Sequence, residues 1–249
     1  LKIRATNLDL GVEIKIPVKT EKEGAVAVPG GVLNNLLSSI LDDVVFLEAK
    51  DRNLFVSTKN NKSLIKSYQT EEFPTLPVIT QGSSFSIQSK KLIDGLRAVV
   101  YSAALSDIKP EIACVCISTN DKEVVFSATD SFRLAEKKLA LDEKQNIPSL
   151  LIPYKNAIEI SKIIEHSPGD IEVFYNKNQI VFTYESFYIT SRLVDGVFPD
   201  YKQIIPKNFT TEVVALKHDI INSLKITNLF SDKFNQVVFT VNPAKKIFE

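Results

Sequence analysis

The chain has 249 residues, 44% of them hydrophobic, and its 30 Lys plus Arg are matched by 30 Asp plus Glu. That length suits roughly two cores rather than one, and no run approaches the ~18–20 apolar residues that span a bilayer. No signal peptide opens it, and the charge balance argues against bulk-charge gripping of nucleic acid while leaving open a protein that encircles it.

In chain order, alternation at 12–16 predicts a strand and the pattern at 32–41 a short helix. Residues 89–104 carry Leu92, Ile93, Leu96, Val99, Val100 and Ala103, the stripe of an amphipathic helix, with Lys90, Lys91, Asp94 and Arg97 on its other face. Strands are predicted at 112–117 and 124–128, a helix at 154–166, and strands at 171–175, 179–184 and 187–192. A helix at 217–229 and a strand at 237–241 follow. Many of the strands are bounded by Asn, Asp, Gly or Pro turn signals. This is an α+β chain of mostly hairpin-joined strands.

The chain repeats itself. Ala-Thr-Asn-Leu-Asp-Leu at 5–10 matches Ala-Thr-Asp-Ser-Phe-Arg-Leu at 128–134. The Val-Pro run from 28 matches the Ile-Pro run from 152, and Phe-Pro at 73–74 matches Phe-Pro at 198–199. A third copy opens where 214–224 resembles 86–96. One unit therefore runs over about 125 residues, reading strand, helix, strands, helix, strands. The division expected is 1–82 as the later part of one unit, 83–208 as a complete unit and 209–249 as the opening of a third. Leu1 falls inside an alternating pattern and no Met occurs, so the chain reads as a fragment or as a trimmed or processed chain.

Catalytic motifs are missing from the sequence. His166 and His218 belong to no metal-ligand pattern, and no phosphate loop, dinucleotide fingerprint or nucleophile elbow occurs. No cofactor and no metal is expected. Cys114 and Cys116 lie two apart in an apolar run and read as buried, reduced thiols, which fits the cytosol. Asp130 could be imagined as a catalytic acid, but reads better as a turn residue accepting backbone hydrogen bonds.

The order Ala-Thr-Asp-x-x-Arg-Leu at 128–134, Ile-Pro-x-Lys at 152–155, Leu-Val-Asp-Gly-x-Phe-Pro-Asp-Tyr at 193–201 and Ile-Pro-Lys-Asn at 205–208 resembles the middle domain of the bacterial DNA polymerase III beta subunit, the beta sliding clamp. Lys-Pro-Glu-Ile at 109–112, Phe-Pro-Thr-Leu-Pro at 73–77 and Leu-Phe-Ser-Asp-Lys-Phe at 229–234 extend the resemblance over essentially the whole chain.

The resemblance implies the DNA-clamp fold: repeated domains, pore-lining helices and outer antiparallel sheets, closed into a ring by a head-to-tail homodimer. Against that pattern the chain lacks the first part of domain one and most of domain three, so the ring is expected of the parent protein. The implied activity is non-catalytic: a cytoplasmic processivity factor that encircles duplex DNA without reading its sequence, with no membrane association. The implied partners are the polymerase III alpha subunit, the clamp loader and other proteins bearing a clamp-binding motif.

By resemblance, the partner-peptide groove comprises Ile112, Thr129, Ser131, Phe132, Arg133, Leu134, Pro199, Gln203, Ile204 and Phe234. Ser131 stands where Gly is usual, and Gln203 where a basic residue is common. The DNA-proximal positions are Ser106, Lys109, Pro110, Glu111 and Lys155. Lys90, Lys91 and Arg97 join them from the polar helix stripe. The subunit interface would use Phe73 and Leu76 on one side and Leu229 and Phe230 on the other. Two alternatives stay open: a repeat-built scaffold or adhesion protein, which predicts no groove at 129–134, and an enzyme, which predicts a polar cleft with strongly shifted ionisable groups.

Overall fold

Short alternating runs joined by tight turns pair with their neighbours, and hairpins dominate the chain. The computed structural model describes residues 1–79, 81–231, 233 and 236–249. The chain divides into two units, Leu1–Pro199 and Asp200–Glu249.

The first unit opens with β1 (Lys2–Thr6), β2 (Leu10–Lys15), α1 (Gly30–Ser38), β3 (Phe46–Lys50), β4 (Asn53–Ser57) and β5 (Lys62–Lys66). Next come β6 (Ser83–Gln88), α2 (Ser89–Val99), β7 (Cys114–Asn120), β8 (Glu123–Thr129), β9 (Leu134–Ala140), β10 (Leu150–Pro153) and α3 (Tyr154–Ile164). The unit closes with β11 (Asp170–Tyr175), β12 (Gln179–Tyr184) and β13 (Phe187–Arg192). From β6 onward this is the expected strand, helix, strands, helix, strands.

Three antiparallel sheets result: β1-β2-β13-β12-β11-β6, β10-β7-β8-β9 and β3-β4-β5. In the first, β2 joins β13 with Val12 opposite Ile189 and Glu13 opposite Tyr188. A strand from one repeat thereby extends the sheet of the next. The repeat is visible in the elements themselves: β3, β4 and β5 recur about 125 residues later as β11, β12 and β13, and α1 recurs as α3.

Both helices of the central repeat sit on the sheets through their apolar stripes. Leu92, Leu96 and Val99 of α2 and Ala157, Ile160 and Ile164 of α3 are fully buried, each large aliphatic contributing about 1.5–3 kcal/mol of burial. A Cβ on Gly95 would lie 2.3 Å from the Phe126 ring of β8, so the absent side chain sets how closely helix and sheet approach.

Where the first repeat meets the second, the segment after β5 lies on the β2–β13 seam. Leu76 is buried, and its Cδ2 would be 2.5 Å from a Cβ on Gly11. The Tyr188 hydroxyl donates to the Pro77 carbonyl at 2.7 Å. Asn156 of α3, itself buried, donates to Ser191 Oγ at 2.9 Å and to the Asp9 carbonyl at 3.4 Å.

Several expected boundaries differ. The helix expected over 89–104 stops at Val99 and tightens into a 3-10 turn at Val100–Ser102. The run Val99, Val100, Tyr101 is β-branched and aromatic and loses rotamer freedom in a helix. The helix expected over 32–41 begins directly after Pro29, whose fixed φ suits the position before a first turn, and ends at Ser38.

In the second unit, α4 (Lys217–Leu229) fills its expected range and has no buried residue. The strand expected at 237–241 shrinks to β14 (Val241–Asn242), paired with β15 (Ile247–Phe248). The same hairpin extends by one rung, Thr240 and Glu249 exchanging backbone hydrogen bonds of 2.6 and 3.0 Å. An apolar run without a facing strand has no ladder to join. Among the described residues, no helix is long and apolar enough to cross a membrane.

Candidate functional site

The turn between β8 and β9 is built from its own side chains. Thr129 Oγ1 donates to the Arg133 carbonyl at 2.8 Å and accepts the Ser131 N–H at 3.1 Å. Asp130 Oδ1 accepts the N–H groups of Phe132 and Arg133 at 3.0 and 2.9 Å, while Asp130 Oδ2 accepts from Arg133 Nε at 3.0 Å. These bonds, that from the Arg133 N–H first, hold the Asp130 carboxyl below the ordinary carboxylate range. The imagined catalytic acid is thus engaged as a turn anchor.

Ser131 takes a left-handed φ of 76°, the conformation that favours glycine. The turn pushes Phe132 outward until its side chain is 98% exposed. Thr129 is buried at the start of the turn and Leu134 is half-buried at its end, while Ile112 is buried in the segment before β7. The structure therefore gathers Thr129, Ser131, Phe132, Arg133 and Leu134 around one turn. Pro199 is exposed at the end of the first unit. Gln203 and Ile204 belong to the second unit, where Gln203 Nε2 donates to Asp200 Oδ2 at 2.6 Å and Ile204 is exposed. Phe234 lies outside the described residues.

The turn between β1 and β2 reproduces this construction 123 residues earlier. Thr6 Oγ1 donates to the Leu10 carbonyl and accepts from the Leu8 N–H, both at 3.0 Å. Asn7 Oδ1 accepts from the N–H groups of Asp9 and Leu10 at 3.0 and 2.7 Å, and Leu8 holds φ at 78°. The sequence match at 5–10 and 128–134 is therefore a match of hydrogen bonds. Sequence reasoning did not draw out the shared left-handed residue: Ser131 standing where Gly is usual was a signal for it, while Leu8 carries none.

The helix face expected near DNA is less free than its sequence suggests. Arg97 donates through Nη1 and Nη2 to both carboxylate oxygens of Glu165 at 2.8 and 2.7 Å. That clasp lowers the Glu165 pKa and raises that of Arg97. Lys91 pairs with Asp142 at 3.5 Å and Lys162 with Glu159 at 2.8 Å. Lys90 has no carboxylate within ion-pair distance among the described residues, and Lys155 lies 5.7 Å from the Tyr154 ring centroid. Ser106, Lys109 and Pro110 are exposed on a loop closed by the Ala104 N–H to the Ile112 carbonyl at 3.0 Å. The Tyr154 N–H donates to the Ala113 carbonyl at 3.0 Å, which brings the start of α3, and with it Lys155, to the root of that loop. Glu165 was not singled out in the sequence: its partner is 68 residues away.

Of the residues expected at a subunit contact, Phe73 is half-buried and Leu76 is buried within the chain against Gly11. Leu229 and Phe230 are 79% and 86% exposed. Cys114 and Cys116 are free and buried, burial pushing their pKa values up to about 12 and about 11. Among the described residues, no group of three His, Cys, Asp or Glu side chains is placed to hold a metal ion.

A family model described as the DNA polymerase III beta subunit, central domain, matches residues 86–200, the stretch that carries the β8–β9 turn, α2 and α3. The beta sliding clamp of Synechococcus elongatus is 26% identical over 243 residues, and that of Rickettsia bellii 27% over 248. Residues 86–200, just under half of the chain, are thus similar to the central domain of the DNA polymerase III beta subunit. The two matches cover 96% and 97% of this chain, and the chain spans 65% of the length of each relative. The crystal structure of the Thermotoga maritima beta subunit superposes with a TM-score of 0.85 at 25% identity, covering 92% of this chain and 62% of that one. The α+β fold is accordingly the sliding-clamp fold.

Proposed function

We propose that this chain acts as a DNA sliding clamp, a non-catalytic processivity factor of the cytoplasm that encircles duplex DNA and tethers a replicative polymerase. The observation that carries this reading is the seam in which β2 of one repeat extends the sheet of the next through β13. In the repeat, β5 is the counterpart of β13 and β9 the counterpart of β2. Both are edge strands among the described residues. Each supplies one half of the seam already formed inside the chain, so copies of the same unit can continue head to tail, and a head-to-tail contact closes when the rotation per unit divides a circle. In this reading the modules are 1–82, 83–208 and 209–249, and the subunit contact runs along the open edge of β5, with Phe73 nearby and Leu229 and Phe230 on the opposite side.

Duplex DNA meets the helix side. Lys90, Lys155 and Lys109 supply sequence-independent phosphate contacts, with Ser106 and Pro110 beside them, and encirclement supplies the retention that a neutral chain lacks. The rim around Thr129–Leu134 receives a short apolar peptide from the polymerase alpha subunit or the clamp loader. Buried Ile112 forms its floor, and Phe132 and Arg133 its edge.

A primer-extension assay tests the proposal. On a primed circular template, the whole protein with its loader should lengthen the products that the cognate polymerase makes in one binding event. Products of unchanged length would contradict it.

A further inference from the structure

Five cations project from α2 and α3, and the chain neutralises three of them. Lys91, Arg97 and Lys162 are paired with Asp142, Glu165 and Glu159, leaving Lys90 and Lys155 without a carboxylate among the described residues. The Arg97 pair differs from the others in geometry. Both terminal nitrogens of its guanidinium are held by both oxygens of one carboxylate, the fork that would otherwise clasp a phosphate.

Glu165 is also oddly placed for its own helix. It is the C-cap of α3, at the negative end of the helix dipole, where an acid is disfavoured. Its carboxylate reaches across to α2 instead of serving α3. Both partners are nearly half exposed, 44% and 45%, so the pair lies on the solvent side of the helices and not in the core. It borders a shallow depression with Lys90, Asp94 and His166.

We infer that Glu165 occupies Arg97 so that the helix face holds duplex DNA loosely, making Glu165 a positioning residue that limits grip and favours sliding. The inference rests on the sliding-clamp reading. A cation that contacts a phosphate releases counterions and steepens the salt dependence of binding, whereas one already paired with a carboxylate does not.

The test is equilibrium binding of the chain to a linear fluorescent duplex, read by anisotropy across a salt series. Glu165→Ala leaves Arg97 with no acceptor from Glu165. The slope of log affinity against log salt should then steepen by about 0.9, so that its advantage over the parent shrinks about 3.5-fold between about 50 and 200 mM salt. The double variant Glu165→Ala with Arg97→Gln should return to the parent slope. Glu185→Ala, which removes a carboxylate on the turn between β12 and β13, outside the depression that the Arg97–Glu165 pair borders, should leave the slope unchanged.

Glu165→Ala with the parent slope overturns the inference while leaving the clamp reading intact. A double variant shallower than the parent also overturns it, because Arg97 would then be contacting DNA already. If the parent and Glu165→Ala both show no salt-dependent binding, this inference fails, while the clamp reading is decided separately by retention on closed circular DNA. Thermal unfolding of each variant, unchanged within a few degrees, ties any slope change to the exposed pair.

Discussion

A serine and a leucine hold the same left-handed backbone at equivalent turns, φ 76° at Ser131 and 78° at Leu8. Left-handed backbone costs an L side chain about 1–2 kcal/mol, and glycine gives back part of the relief as chain entropy. S131G should therefore stabilise the protein by about 0.5–1 kcal/mol in denaturant unfolding; a loss of that size would count against the strain argument. The equivalent anchors, Asn7 and Asp130, show that the turn needs an acceptor and not a charge. D130N should be tolerated, while D130A should cost about 1 kcal/mol. The Asp130 pKa is depressed in the folded state. Its stabilisation is thus present above the ordinary carboxylate pKa of about 3.9 and lost as pH falls through the lower folded value. The gap between parent and D130A should close in acid, and a gap that widened there would contradict the assignment. At the buried thiols, with pKa values pushed up to about 12 and about 11, alkylation of native protein at pH 8 should be as slow as unfolding. Rapid labelling of Cys114 or Cys116 would contradict their burial.

At the level of elements, α2 depends on contact with β8. G95A puts a Cβ 2.3 Å from the Phe126 ring and should cost about 1–3 kcal/mol by overpacking. G31A, with nothing within 4 Å of its new Cβ, should be neutral or gain up to about 1 kcal/mol in helix propensity. Equal effects from the two would show that packing does not position α2. The helices were legible in the sequence because a stripe such as Leu92, Ile93, Leu96 and Val99 has one reading. Strand β9, Leu-Ala-Glu-Lys-Lys-Leu-Ala, was not: as an edge strand it carries charge on a pattern that does not alternate cleanly. The run at 237–241 misled in the opposite sense, since β-forming residues need a facing strand. At the site, the Ala-Thr-Asp motif disclosed the turn. The Arg97–Glu165 pair and the seat of Leu76 against Gly11 depend on residues brought together only by folding, and no local pattern marks either.

For the molecule as a whole, neutrality and DNA tethering are compatible when retention is topological. In the proposed clamp, Lys90, Lys155 and Lys109 would supply a few phosphate contacts, too few for tight binding at physiological salt, and the β2–β13 seam would be the joint from which a closed ring of repeats is assembled. The most direct measurement is retention of the whole protein, loaded onto circular duplex at moderate salt, before and after the circle is cut once. Encirclement predicts that protein stays on the closed circle and is lost when the ends are opened. Equal retention on circular and linear DNA, or equal loss from both, would contradict encirclement.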